Sequence, residues 1–143
     1  MYAKRKLALR GIDDWGDGSF QAPRGKRKDG TKKYHKGIDY AASVGEEILA
    51  PVSGKVTKIG YAYADDLSFR YVEITCEALR HRTFYINPGV EQGAFVHAGE
   101  VIGTCQNISG KWTDPSKDPM VNHIHYEILN ANGEPQNPDE YHA

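Results

Sequence analysis

Two short patterns in this sequence could do chemistry: His35-Lys-Gly-Ile-Asp39 and His123-Ile-His125. Imidazole and carboxylate are the groups that hold a hydrolytic zinc ion. Such an ion usually takes three protein ligands from His, Asp and Glu and keeps its fourth position open. Two imidazoles and one carboxylate meet that requirement and leave a net charge of about +1, which lowers the pKa of water on zinc towards ~7. His123 and His125 sit in a segment that reads as a strand, where residues two apart share a face with side chains roughly 7 Å apart. That is too wide for equal duty at one small ion, and it suits one histidine on the metal with the other at reacting distance. The even spacing of His35 and Asp39 likewise puts both on one face of an extended chain, with Gly37 able to curve the path. By themselves, the two patterns fit a metal site and exposed polar positions equally well.

The rest of the chain must bring these segments together. A length of 143 residues supports one domain. The 39% hydrophobic and 26% charged residues are ordinary for a globular protein, while 15 glycines, nine tyrosines and seven prolines favour short strands and tight turns. Residues 1–23 show no clean period and read as a loop-like N-terminal extension. Arg24 to Lys33 holds six basic residues and runs into His35, as either a solvated loop or an anion-contacting rim. Strands are expected over 47–51, 55–59, 71–76, 82–86, 100–103 and 123–128, from polar–apolar alternation or from β-branched and aromatic content. Residues 106–122, with Pro115 and Pro119, form a connection longer than a plain loop needs. The domain is placed at 24–130, followed by a turn-rich tail at 131–143. No segment holds a 3.6-residue period over helix length, so the predicted class is all-β with few short helical turns.

A net charge of −1 gives no electrostatic basis for binding nucleic acid or an anionic membrane. No window reaches the ~18–20 apolar residues of a membrane span, and the first ten residues lack the apolar stretch of a secretory signal. The expectation is a chain made in the cytoplasm that acts elsewhere by another route. Cys76 and Cys105 do not make a disulfide framework, and pairing and two free thiols both remain open.

Four motifs in order carry more information than either histidine pattern. They are His-Lys-Gly-Ile-Asp-Tyr-Ala-Ala (35–42), Ile-Leu-Ala-Pro-Val-Ser-Gly-Lys-Val (48–56), Val-His-Ala-Gly-Glu-Val-Ile-Gly (96–103) and His-Ile-His-Tyr-Glu (123–127). Together they closely resemble the lysostaphin and LytM-type zinc metallopeptidases over residues 20–130. The resemblance implies a fold of antiparallel sheets, a duplicated hybrid motif with the site in a groove. It implies His35, Asp39 and His125 as ligands of Zn2+, His123 as catalytic base or proton shuttle, and peptidoglycan peptides as substrate.

One position departs from the pattern. Peptide-cleaving members carry a further histidine in a Y-x-H element, and the matching stretch here, Thr83-Phe-Tyr-Ile-Asn-Pro88, puts Asn87 there. Asparagine can donate a hydrogen bond to an oxyanion but cannot carry a proton or a charge. A vertebrate secreted branch with a similar F-Y-I-x-P stretch keeps the zinc ligands without that histidine. Two readings follow: a zinc endopeptidase using His123 and Asn87, or a zinc-stabilised module that binds cell-wall peptide or a protein partner. The setting that fits a wall-directed domain of this kind is a bacteriophage lysis protein or virion component.

Overall fold

The computed structural model describes residues 9–13, 16–26 and 32–138. The middle of the basic stretch 24–33 and His142 lie outside them. In chain order the strands are β1 (Ile12–Asp13), β2 (Gly16–Asp17), β3 (Pro23–Lys26), β4 (Lys32–Tyr34), β5 (Ile38–Ala41), β6 (Glu47–Leu49) and β7 (Gly54–Tyr61). They continue as β8 (Arg70–Cys76), β9 (Leu79–Phe84), β10 (Ile86–Pro88), β11 (Phe95–Val96), β12 (Val101–Cys105), β13 (His123–Leu129) and β14 (Pro135–Gln136). No α-helix occurs among the described residues. The class is all-β, as the absence of helical period predicts.

The principal sheet runs β11-β7-β8-β9-β13-β14, with β5 also paired to β13, and every pairing is antiparallel. A smaller sheet, β10-β12-β6, covers it. Strand alternation explains why the two pack. In β13, Ile124, Tyr126 and Ile128 are fully buried on one face. Val72 and Ile74 of β8 join them, and Ile48, Ile86 and Ile102 of the smaller sheet complete the same core. Each such side chain contributes about 1.5–3 kcal/mol of burial.

The opposite face of the principal sheet is polar, and its register lines up two rows. Tyr71 of β8 stands opposite Phe84 of β9, Phe84 opposite His125 of β13, and His125 opposite Asp39 of β5. One row along, Glu73 faces Arg82 and Arg82 faces Glu127. Pairing register therefore delivers Asp39 to His125 across a sequence separation of 86 residues.

One strand differs from expectation. The strand anticipated over 82–86 is broken at Tyr85, which takes a left-handed φ of 72°. The chain leaves the principal sheet after Phe84 and enters the smaller one at Ile86. The described part of the N-terminal segment, read as a loop, hydrogen-bonds to the chain around β5: Asp39 N–H donates to the Gly18 carbonyl, Arg10 N–H to the Asp39 carbonyl, and His35 N–H to the Ala22 carbonyl.

Candidate metal centre

Asp39 and His125 meet as cross-strand partners, and His35 enters from the bend that precedes β5. That bend requires Gly37, where a Cβ would lie 2.1 Å from the Tyr126 carbonyl oxygen. The result is a tight triangle. His35 Nε2 lies 2.9 Å from His125 Nδ1 and 3.1 Å from Asp39 Oδ1, and His125 Nδ1 lies 3.0 Å from Asp39 Oδ1. Donor atoms sharing one zinc at ~2.0–2.2 Å in tetrahedral directions stand about 3.3–3.5 Å apart, so the triangle closes on an ion with little adjustment.

The outer nitrogens fix what the inner ones can do. His35 Nδ1 is 2.9 Å from the Ser19 carbonyl oxygen, and His125 Nε2 is 2.9 Å from Glu127 Oε1. Both acceptors require a proton on those outer nitrogens, which leaves lone pairs on the neutral rings' inner nitrogens. Two nitrogen lone pairs and a carboxylate oxygen then converge, an arrangement that only a positive charge at the centre satisfies. One proton on His125 can serve part of it, whereas a divalent ion serves all three. The residues fit the metal.

The surrounding charges agree. Burial works against a charged His125, but hydrogen bonds to Asp39 and Glu127 outweigh it and hold the metal-free imidazole's pKa up at about 9. Burial also opposes the charge on Asp39, and the neighbouring His125 and His35 imidazoles nonetheless hold its carboxyl well below the usual range. The second Asp39 oxygen accepts from Arg10 Nη1 at 2.9 Å, and Arg10 is itself paired with Asp13 at 2.8 Å. Behind His125, Glu127 leads to Arg82, whose Nε donates to Glu73 at 2.7 Å, and Glu73 accepts from Thr57.

His123 stands beside the triangle and outside it. Its Nε2 is 3.5 Å from Asp39 Oδ2. Its Nδ1, 2.7 Å from the Val121 carbonyl, must carry the proton, so Nε2 holds the lone pair. Burial lowers its pKa, partly countered by Asp39. The ring is therefore a neutral base at pH 7.

Among the described residues, the Asn87 side chain makes no hydrogen bond to this cluster. It is exposed on β10, and its Oδ1 accepts from Gln106 Nε2 at 3.1 Å. The aromatic ring next to His123 is that of Tyr85, met edge-on with centroids 5.6 Å apart. Burial first, then Tyr63 and the carboxylates of Asp39 and Glu127, push the Tyr85 phenol well above its ordinary pKa, so it stays protonated. Both cysteines are free thiols, and burial pushes Cys105 up to about 12.

Arg10, Ser19 and Glu127 were not identified from the sequence. Glu127 had a signal, because it shares strand parity with His125. Arg10 and Ser19 had none, since their roles depend on where the N-terminal segment crosses β5.

Fold and site together define a class: a small antiparallel β domain presenting a candidate His–Asp–His metal site with a further histidine beside it. The chain belongs to peptidase family M23, whose profile matches residues 33–138. It is 35% identical over 116 residues to the peptidoglycan DD-endopeptidase ShyC of Vibrio cholerae, covering 76% of this chain and 23% of that protein. Its structure resembles the catalytic domain of a mutant of the prophage-encoded M23 protein EnpA from Enterococcus faecalis. The TM-score is 0.59, with 27% identity over 87% of this chain and 92% of that one. The catalytic domain of lysostaphin from Staphylococcus simulans shares the fold at a TM-score of 0.59 and 19% identity, covering 95% of this chain and 98% of that one.

Proposed function

We propose that this domain is a zinc-dependent endopeptidase that cuts cross-link or stem peptides of peptidoglycan. The observation that carries the reading is the convergence of three metal-binding atoms within 3.1 Å of one another, with the neutral His123 Nε2 beside them. Membership of M23 and the likeness to a peptidoglycan endopeptidase support the substrate class.

His35, Asp39 and His125 would hold the ion. When bound, zinc supplies Lewis-acid chemistry, polarising the scissile carbonyl and acidifying water. His123 Nε2 takes the proton of the attacking water and returns it to the leaving amine as the C–N bond breaks, leaving a free carboxylate and a new amino terminus. The Val121 carbonyl keeps that ring in the required tautomer. Arg10 fixes the Asp39 carboxylate so that Oδ1 faces the triangle. Asn87 is exposed on β10 with its side-chain oxygen on Gln106.

The direct test incubates zinc-loaded protein with purified peptidoglycan and counts new amino termini. Release no greater than that of His123→Ala removes the peptidase reading. Asn87, where a histidine is expected, favours a second reading in which the domain binds wall peptide or a protein partner without cutting it. Affinity for wall fragments that survives His123→Ala in an inactive protein supports that alternative. The proposed setting is the cell wall or a phage particle, a reading encouraged by the prophage origin of EnpA. Absence of the protein from both purified virions and wall fractions speaks against it.

A further inference from the structure

Peptide hydrolysis places negative charge on the carbonyl oxygen, and a site lacking a histidine at position 87 needs another donor there. Phe84 and Tyr85 are consecutive, so in a regular strand they would face opposite ways. The left-handed φ of 72° at Tyr85 cancels that alternation. Phe84 meets His125 at 5.2 Å between centroids, and Tyr85 meets His123 at 5.6 Å, so both rings lie against the site. A non-glycine residue in this conformation is strained by ~1–3 kcal/mol, and such strain collects at working sites.

The proton inventory of the phenol is the second observation. Trp112 Nε1–H donates to the Tyr63 hydroxyl oxygen at 3.2 Å, and the Tyr63 hydroxyl donates to the Tyr85 oxygen at 3.3 Å. Tyr63 also stacks on Tyr85, 13° from parallel, while the Lys111 ammonium sits 4.7 Å over the Tyr63 ring and pairs with Asp66 at 3.3 Å. Tyr85 thus receives a hydrogen bond, and no acceptor for its own O–H is found among the described residues. A donor chain that begins in the long 106–122 segment ends on a free phenolic proton beside His123.

We infer that Tyr85 is the catalytic hydrogen-bond donor to the carbonyl oxygen of the scissile peptide, held in place by Tyr63 and Trp112 as positioning residues, and that Asn87 is not that donor. This rests on the peptidase reading. The phenol keeps its proton throughout. It donates to the oxygen more strongly as charge develops and releases it when the tetrahedral centre collapses.

The test compares Tyr85→Phe, Asn87→Ala and Trp112→Phe, each zinc-loaded, with the unaltered protein. Turnover of peptidoglycan is measured together with calorimetric binding of a phosphinate pseudopeptide, whose tetrahedral oxygens mimic the reacting centre. Tyr85→Phe should keep its zinc and its melting temperature, lose about 10²–10³ in kcat with little change in KM, and bind the phosphinate far more weakly. Asn87→Ala should change kcat less than several-fold, and Trp112→Phe should fall between. Equal phosphinate binding and turnover by Tyr85→Phe and the unaltered protein overturns the inference and leaves the peptidase reading standing. So does a loss on Asn87→Ala as large as that on Tyr85→Phe. An unaltered zinc-loaded protein that neither cuts peptidoglycan nor binds the phosphinate removes both.

Discussion

His123 and His125 lie two residues apart on one strand, and their surroundings give them opposite tasks. His125 faces two carboxylates and accepts charge, whereas His123 faces a backbone carbonyl and stays neutral. Replacing His123 by Ala should lower kcat by about 10²–10⁴ while zinc stoichiometry is unchanged. Replacing Asp39 by Ala should abolish stoichiometric zinc, read by elemental analysis. The metal-free His125, held at about 9 against an ordinary 6.5, gives a pH signature. Its folded pKa is raised, so the stability it lends the metal-free protein is in place below about 6.5 and lost as pH rises through about 9. Zinc must displace that proton. Apparent affinity should therefore climb about tenfold per pH unit up to about 9 and level off above it, with proton release at pH 7 visible by calorimetry in buffers of different ionisation enthalpy. Cys105, raised to about 12 by burial, should resist alkylation at pH 8 in the folded protein and react once unfolded.

The β5–β13 pairing is the element on which the site depends. A one-residue slip would turn Asp39 away from His125 and send Ile38 and Tyr40 out of the core. Gly37 sets the entry to β5, where an added Cβ would meet the Tyr126 carbonyl. Gly37→Ala should therefore destabilise the fold by about 1–3 kcal/mol and weaken zinc binding, measured by thermal unfolding with and without metal. The β8–β9 hairpin turns on Glu77 and Ala78, both at positive φ, a conformation that usually calls for Asn and Gly. The next break, at Tyr85, moves the chain from one sheet to the other. Because of that crossing, Tyr85 and Asn87 do not share a strand, and their even spacing does not give them a common face.

At the scale of the molecule, two sheets bury one apolar core and leave a polar face on which distant segments meet. The N-terminal segment closes that face from one side through Arg10 and Ser19. The 107–119 loops stand on another, around a cavity of about 420 Å³ lined by Trp112, Pro115 and Pro119 among others. Without a metal a single proton on His125 serves only part of the His35–Asp39–His125 triangle, so chelation should lower the melting temperature and restored zinc should raise it. A core deletion such as Ile124→Ala should cost about 2–5 kcal/mol whether or not zinc is present. The two perturbations are separable by scanning calorimetry.

Residue type and local spacing were enough to determine the all-β class, most of the long strands, and the His–Asp and His–His pairs as candidates for metal chemistry. Those features are local, since alternation and motif spacing are properties of a few neighbouring residues. Only the folded chain decided which atoms converge, because that depends on sheet register between segments 86 residues apart. It also decided that Arg10 and the Ser19 carbonyl support the site. The same holds for Tyr85 standing beside His123: one backbone angle of 72° redirects its side chain, and no spacing rule encodes it.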